Sequence, residues 1–148
     1  RARTARLVTG ARPGTAPARL ALRAGDLEPA RERLDAFLDA HAPPERVRYV
    51  AHLVLEECMT NLLMHAFPGD ASHPIDASIE RDAQGFVFRL ADDGPPFDPT
   101  VGADPTPPRT IEETRIGGLG LMLVRRMARS VEYRRDGTVN RLTVRFAT

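Results

Sequence analysis

The chain has 148 residues, 42% of them hydrophobic, which suits one ordinary globular domain with a real core. Its formal net charge of +1 gives no reason to expect direct contact with nucleic acid. Every basic residue is Arg, which removes mechanisms built on a catalytic or P-loop lysine. The single cysteine, Cys58, excludes an intrachain disulfide and a cysteine-cluster zinc site. No apolar stretch is long enough to span a bilayer and no signal-peptide pattern occurs, so no membrane partner and a cytoplasmic location are expected. The chain begins at Arg1 rather than Met, which leaves a longer parent protein open.

Residues 1–16 contain Arg, Gly and Pro without periodicity and are expected to form a flexible lead-in to a domain over 17–148. The arginines there suit a solvated tail or linker better than a nucleic-acid arm. ARLALRA (18–24) alternates as a strand does. Asp26 then stands where an N-cap belongs, before a helix whose apolar face is Leu27, Ala30, Leu34, Phe37 and Leu38. Pro43 and Pro44 separate that helix from a longer one, which starts near Pro44 and carries Val47, Val50, Val54, Cys58, Leu62 and Ala66 at helical spacing. Pro68-Gly69-Asp70 closes it.

PIDASIERD and QGFVFRLADD read as a hairpin joined through Asp82-Ala83-Gln84-Gly85. The Pro-rich run from Gly94 to about Arg115 has neither period and is the length of a lid. GGLGLMLVRRMARS opens on glycines and continues as a helix, with Leu119, Met122, Leu123 and Met127 expected on the buried side. VEYRRDGTVNRLTVRF forms a second hairpin turning at Asp136-Gly137. This order fits an α+β fold, a two-layer α/β sandwich with helices on one face of a mixed, mostly antiparallel sheet.

Three constellations carry chemistry. Glu57, Asn61 and His65 are four residues apart and form one polar row on the long helix. Mid-helix asparagine costs up to about 0.7 kcal/mol against alanine, so a use for it is worth seeking. An amide oxygen with waters suits Mg²⁺ when a phosphate completes the shell, and Glu57 then orders a water or takes a proton from a hydroxyl. A solvated helix face is the plainer reading. ADDGPPFDP (91–99) sets the carboxylate of Asp92 at a strand end, with Gly94 permitting close backbone approach to a ligand. Such an acceptor selects an exocyclic amine like that of adenine; an ordinary Asp-Gly-Pro turn is the alternative. IGGLGL (116–121) offers free N–H groups at a helix start, which attract phosphate, though a glycine-opened helix without a ligand reads equally well. It is neither a Walker A motif nor a GxGxxG after a strand.

The order of these parts resembles the GHKL (histidine kinase-like) ATPase superfamily and, within it, the RsbW-type anti-sigma factors that double as serine-protein kinases. EECMTNLLMH, DDGPPFDP and RIGGLGLMLVRRMARSVEYRRDGTVNRLTV carry the likeness, which runs from about residue 18 to the end. The resemblance implies a Bergerat-type ATPase fold with an ATP lid at about 98–116. It implies Mg²⁺ held by Asn61 and a general base at Glu57. Asp92 would take the adenine amine, with Gly94 beside it. Gly118 and Gly120 would line the phosphates, and Gly117 and Leu119 would supply backbone around them. Thr143 matches a hydroxyl that helps hold Asp92 or a water at adenine. His65 is open between phosphate contact and helix packing, and Arg115, with Arg109 as a rival, is the candidate lid arginine.

The implied activity is transfer of the ATP γ-phosphate to a Ser or Thr of an anti-anti-sigma (STAS) partner, with sequestration of a sigma factor or equivalent regulator. The implied assembly is a homodimer formed through about 18–40. Two alternatives stand beside it: a non-catalytic ATP-binding partner switch, and the kinase module of a larger phosphatase or receiver regulator.

Overall fold

A computed structural model describes residues 16–100 and 119–146. The lead-in expected over the first residues, most of the expected lid, and the site candidates Arg109, Arg115, Gly117 and Gly118 lie outside the described residues. The remainder is a five-stranded sheet with helices on one face.

In chain order the elements are β1 (Ala18–Arg23), α1 (Leu27–His41), α2 (Glu45–Asn61), a single π turn (Leu62–Ala66), β2 (Pro74–Asp82), β3 (Gly85–Asp92), α3 (Leu119–Met127), β4 (Ala128–Asp136) and β5 (Val139–Phe146). The sheet order is β1-β2-β3-β5-β4. All four pairings are antiparallel, so the described sheet is not mixed. The hairpins close as their turn residues predict, with Asp82 opposite Gly85 and Asp136 opposite Val139.

Side-chain alternation divides the sheet cleanly. Ile75, Ala77 and Ile79 of β2, Phe86, Phe88 and Leu90 of β3, and Leu142, Val144 and Phe146 of β5 are buried toward the helices. Ala30, Leu34, Phe37 and Leu38 of α1 meet them, with Val47, Val50, Val54, Leu55 and Met59 of α2. Phe37 packs edge-on against Phe86, their ring centroids 6.2 Å apart at 87°. The other face of the sheet is charged: Arg19 pairs with Asp76, Arg89 with Glu80 and Arg145 with Asp82. Val87 lies on that face, flanked in the ladder by Glu80 and Arg145, and is nevertheless fully buried.

Local details depart from the sequence reading in three places. Pro44 is the N-cap of α2 rather than part of its first turn, accepting at its carbonyl from the N–H of Val47 at 2.9 Å. The long helix is not α-helical throughout: after Asn61 it widens, and the N–H of Phe67 donates to the carbonyl of Leu62 at 2.7 Å, a five-residue step. α3 ends at Met127 and β4 starts at once, with Met122 and Val124 as its buried residues while Leu123 and Met127 are only half-buried.

Candidate functional site

A cavity of about 180 Å³ opens between the C-terminal end of α2, the π turn and the strand ends of β3 and β5. Asn61 and His65 stand on one wall, Asp92 and Asn140 on the facing strands, and Cys58, Leu90 and Leu142 give it an apolar floor. Pro95, Pro96, Phe97 and Pro99 make a further wall, and Phe97 is 57% exposed there. At the far end of that wall, Asp98 accepts from both the N–H and the hydroxyl of Thr100, at 2.8 and 2.6 Å, which fixes the turn there.

Asn61 and His65 share a wall across the π turn. A continued α-helix would stack His65 directly over the Glu57–Asn61 row, and the wider turn changes its direction while leaving it at the cavity. Cys58, buried between the cavity and the core, has its thiol pushed up to about 12, first by burial and then by the nearby Glu57 and Asp92 carboxylates. It is an inert wall residue at neutral pH.

Glu57 does not line the cavity itself. Its carboxylate lies against the first turn of α3, where a Cβ on Gly120 would overlap it. Burial and then the neighbouring charge of Glu56 raise the Glu57 carboxyl above its ordinary value. Glu56 is itself engaged on the α1 side, accepting from Arg31 at 2.7 Å. The adjacent acids Glu56 and Glu57 are thus separated in role: Glu56 is in an ion pair and Glu57 is partly desolvated beside Gly120.

Asp92 is held by two donors on the same oxygen. Its Oδ1 accepts from the N–H of Gly94 at 2.9 Å and from Asn140 Nδ2 at 3.0 Å. Among the described residues no protein donor takes Oδ2. Gly94 is required by this packing: a Cβ there would come within 2.9 Å of Asp92 Oδ1, 3.0 Å of Ala66 Cβ and 3.3 Å of Phe67 Cζ. The close approach it permits is therefore to the protein's own carboxylate and π turn.

The register sends Thr143 elsewhere. It pairs with Arg89, one position out of phase with Leu142 and Val144, so it lies on the charged face of the sheet, away from Asp92. The side chain that reaches Asp92 is Asn140, directly opposite it in the ladder and 6% exposed. Sequence reading overlooked Asn140, although the signal was there: Asn140, Leu142, Val144 and Phe146 alternate, and one polar member of an inward-facing row needs partners. Of the remaining expected residues, the structure brings Asn61, His65, Asp92 and Gly94 together, sets Gly120 against Glu57, and places the backbone of Leu119 at the start of α3.

Residues 20–146 match the histidine kinase-like ATPase domain, and the chain belongs to that family. It is similar to the serine/threonine-protein kinase BtrW of Bordetella bronchiseptica, with 28% identity over 99 residues, covering 67% of this chain and 70% of the relative.

Proposed function

We propose that this domain binds ATP in the cavity and transfers its γ-phosphoryl group to a serine or threonine hydroxyl on a partner protein of the anti-anti-sigma (STAS) type. The observation that carries the reading is the half-satisfied carboxylate of Asp92. With Oδ1 taken by Gly94 and Asn140, Oδ2 is left for a donor in an apolar slot, as an adenine amine requires. Membership of the ATPase family and the similarity to a protein named a serine/threonine kinase support the nucleotide and the transfer.

The residues fit Mg²⁺ as well. Among the described residues there is no group of three or more His, Cys, Asp or Glu able to hold a metal by protein ligands alone. Asn61 on the cavity wall is the residue that would hold it, the nucleotide phosphates supplying the rest of the shell. Bound there, Mg²⁺ would neutralise phosphate charge during transfer. Glu57, with its raised carboxyl, takes the proton from the incoming hydroxyl. The backbone opening α3 at Leu119 and Gly120 would face the phosphates. The cavity wall at Phe97 and Pro99 is where the lid begins. Association with a sigma factor or equivalent regulator, and dimerisation through β1 and α1, complete the reading as partner switching; β1 is the edge strand of the sheet at that end.

The test is phosphate transfer from γ-labelled ATP to a STAS-domain protein from the same genome. Transfer is expected with the intact chain and a fall of about 10²–10⁴-fold with Glu57→Ala. ATP binding without transfer to any such partner would replace the kinase reading with that of a non-catalytic nucleotide switch.

A further inference from the structure

A seam of charge runs between α1 and α2. On α2 it uses Arg48, His52 and Glu56, four residues apart and therefore on one face. Arg48 Nη2 donates to Asp39 at 2.7 Å, and His52 Nε2 lies 2.8 Å from Asp35 Oδ1. At the last position the polarity reverses. Glu56 is the acid there, accepting from Arg31 Nη2 at 2.7 Å, while Arg31 Nη1 reaches Glu28 one turn earlier on α1. Both side chains of that pair are partly exposed, so its worth to stability is small. The reversal falls beside Glu57. Consecutive helix residues point about 100° apart, so Glu56 is turned to α1 while Glu57 is turned to Gly120 on α3. Other described groups around Glu57 are few. On α2 and the π turn they are Cys58, its thiol held up at about 12, and His65 on the cavity wall, with Asp92 across the cavity. α3 brings Gly120 against the carboxylate and carries Arg125 and Arg126 in its last turn.

Resting on the reading of Glu57 as the base, we propose that Arg31 is a positioning residue for it: by holding the Glu56 carboxylate on the α1 side, Arg31 keeps that charge away from Glu57 and so keeps Glu57 ready to accept a proton. In the transfer the substrate oxygen bonds to the γ-phosphorus as the bond to ADP breaks, and the hydroxyl proton passes to the Glu57 carboxylate. A carboxyl that already holds a proton cannot take it. Burial and then the Glu56 charge both favour the protonated form of Glu57, and the second depends on where the Glu56 carboxylate lies. Arg31 decides that from α1, outside the lining of the cavity.

The experiment reads the Glu57 carboxyl directly, by carbon-13 NMR titration of the intact chain without nucleotide, the signal assigned by its loss in Glu57→Gln. Arg31→Gln should move the Glu57 midpoint to higher pH, and Glu56→Gln should move it to lower pH. The double variant should match Glu56→Gln alone, because Arg31 acts through Glu56. Arg31→Lys, which keeps the charge, should stay with the wild type. Transfer from γ-labelled ATP to the STAS-domain protein should follow the midpoint. Below the wild-type midpoint Arg31→Gln should lose about two- to tenfold in rate, the effect of one charge at this range in a partly solvated site, and on the alkaline side little. An unmoved midpoint in folded Arg31→Gln overturns the inference, as does a double variant that still differs from Glu56→Gln. If Arg31→Gln does not fold, Glu56→Gln decides: a midpoint that fails to drop overturns the inference. Midpoints that move as stated while Glu57→Gln transfers at the full rate would overturn the base reading, and the role of Arg31 in the reaction with it.

Discussion

Gly120 rests its α-carbon on the carboxylate of Glu57, leaving no space for a methyl group between α3 and α2. The glycine opening α3 is thus tied to the helix that carries the proposed base, and the contact gives the two residues a shared consequence on substitution. In Gly120→Ala the new methyl meets Cγ, Cδ and Oε1 of Glu57, the mobile end of a side chain, so Glu57 turns aside at little cost to the fold. Alanine is also the better helix former, by roughly 0.5–1 kcal/mol. Thermal unfolding should therefore be unchanged or slightly raised, while phosphoryl transfer falls at least tenfold. A variant that keeps full transfer would remove Glu57 from the chemistry.

The pair of His73 and Asp93 gives a pH dependence with a definite sign. His73 stacks on Phe67, with centroids 3.7 Å apart, and binds Asp93 at 2.6 Å and Asp70 at 3.3 Å. The hydrogen bond to Asp93 is the main reason its imidazole lies above the ordinary value, with burial opposing it and Asp70 adding to it. Asp93 is lowered chiefly by His73, and Asp70 chiefly by its hydrogen bond to Ser72 and then by His73. The histidine's contribution to stability is complete below its unfolded value near 6.5 and is lost as pH rises through the raised folded value. The carboxylates' contribution is present above their unfolded value near 3.8 and is lost as pH falls through their lowered folded values. His73→Gln should shrink the fall in stability that sets in as pH rises past the unfolded value near 6.5, measured by urea unfolding. An undiminished fall would contradict this account.

Phe88 is fully buried at the centre of the sheet, on the strand that ends in Asp92. Phe88→Ala is predicted to cost about 3–5 kcal/mol in urea-unfolding stability, the range for emptying a packed aromatic site. A loss under about 1 kcal/mol would mean that the layer collapses around the gap.

Most of the architecture could be read from periodicity, because the two-residue alternation of β2 and β5 and the helical spacing of α1 and α2 are each enforced by one buried face. That Asn61 and Asp92 stand at one cavity was legible as well, Asn61 because its type is costly in mid-helix and Asp92 because it closes a strand before Gly94. What escaped depends on phase and local geometry. Thr143 and Asn140 differ by an odd number of positions and so point to opposite faces; the register of β3 against β5, which sets Asn140 opposite Asp92, decides which one meets it. The π turn after Asn61 leaves no mark in the helical spacing, which continues through Leu62 and Ala66. The hold of Tyr133 and Arg135 on the Asn140 side chain is likewise invisible until β4 is aligned on β5.

The measurement that tests the central claim most directly is thermal unfolding with Mg-ATP and Mg-GTP, for the intact chain, Asn61→Ala and Asp92→Asn. A ligand at about one hundred times its Kd adds roughly 2.7 kcal/mol, on the order of 5–10 °C for a domain this size. The account predicts that shift with Mg-ATP, a smaller one with Mg-GTP, and a loss in both variants. No shift at millimolar nucleotide, or equal shifts with the two nucleotides that survive Asp92→Asn, would contradict it.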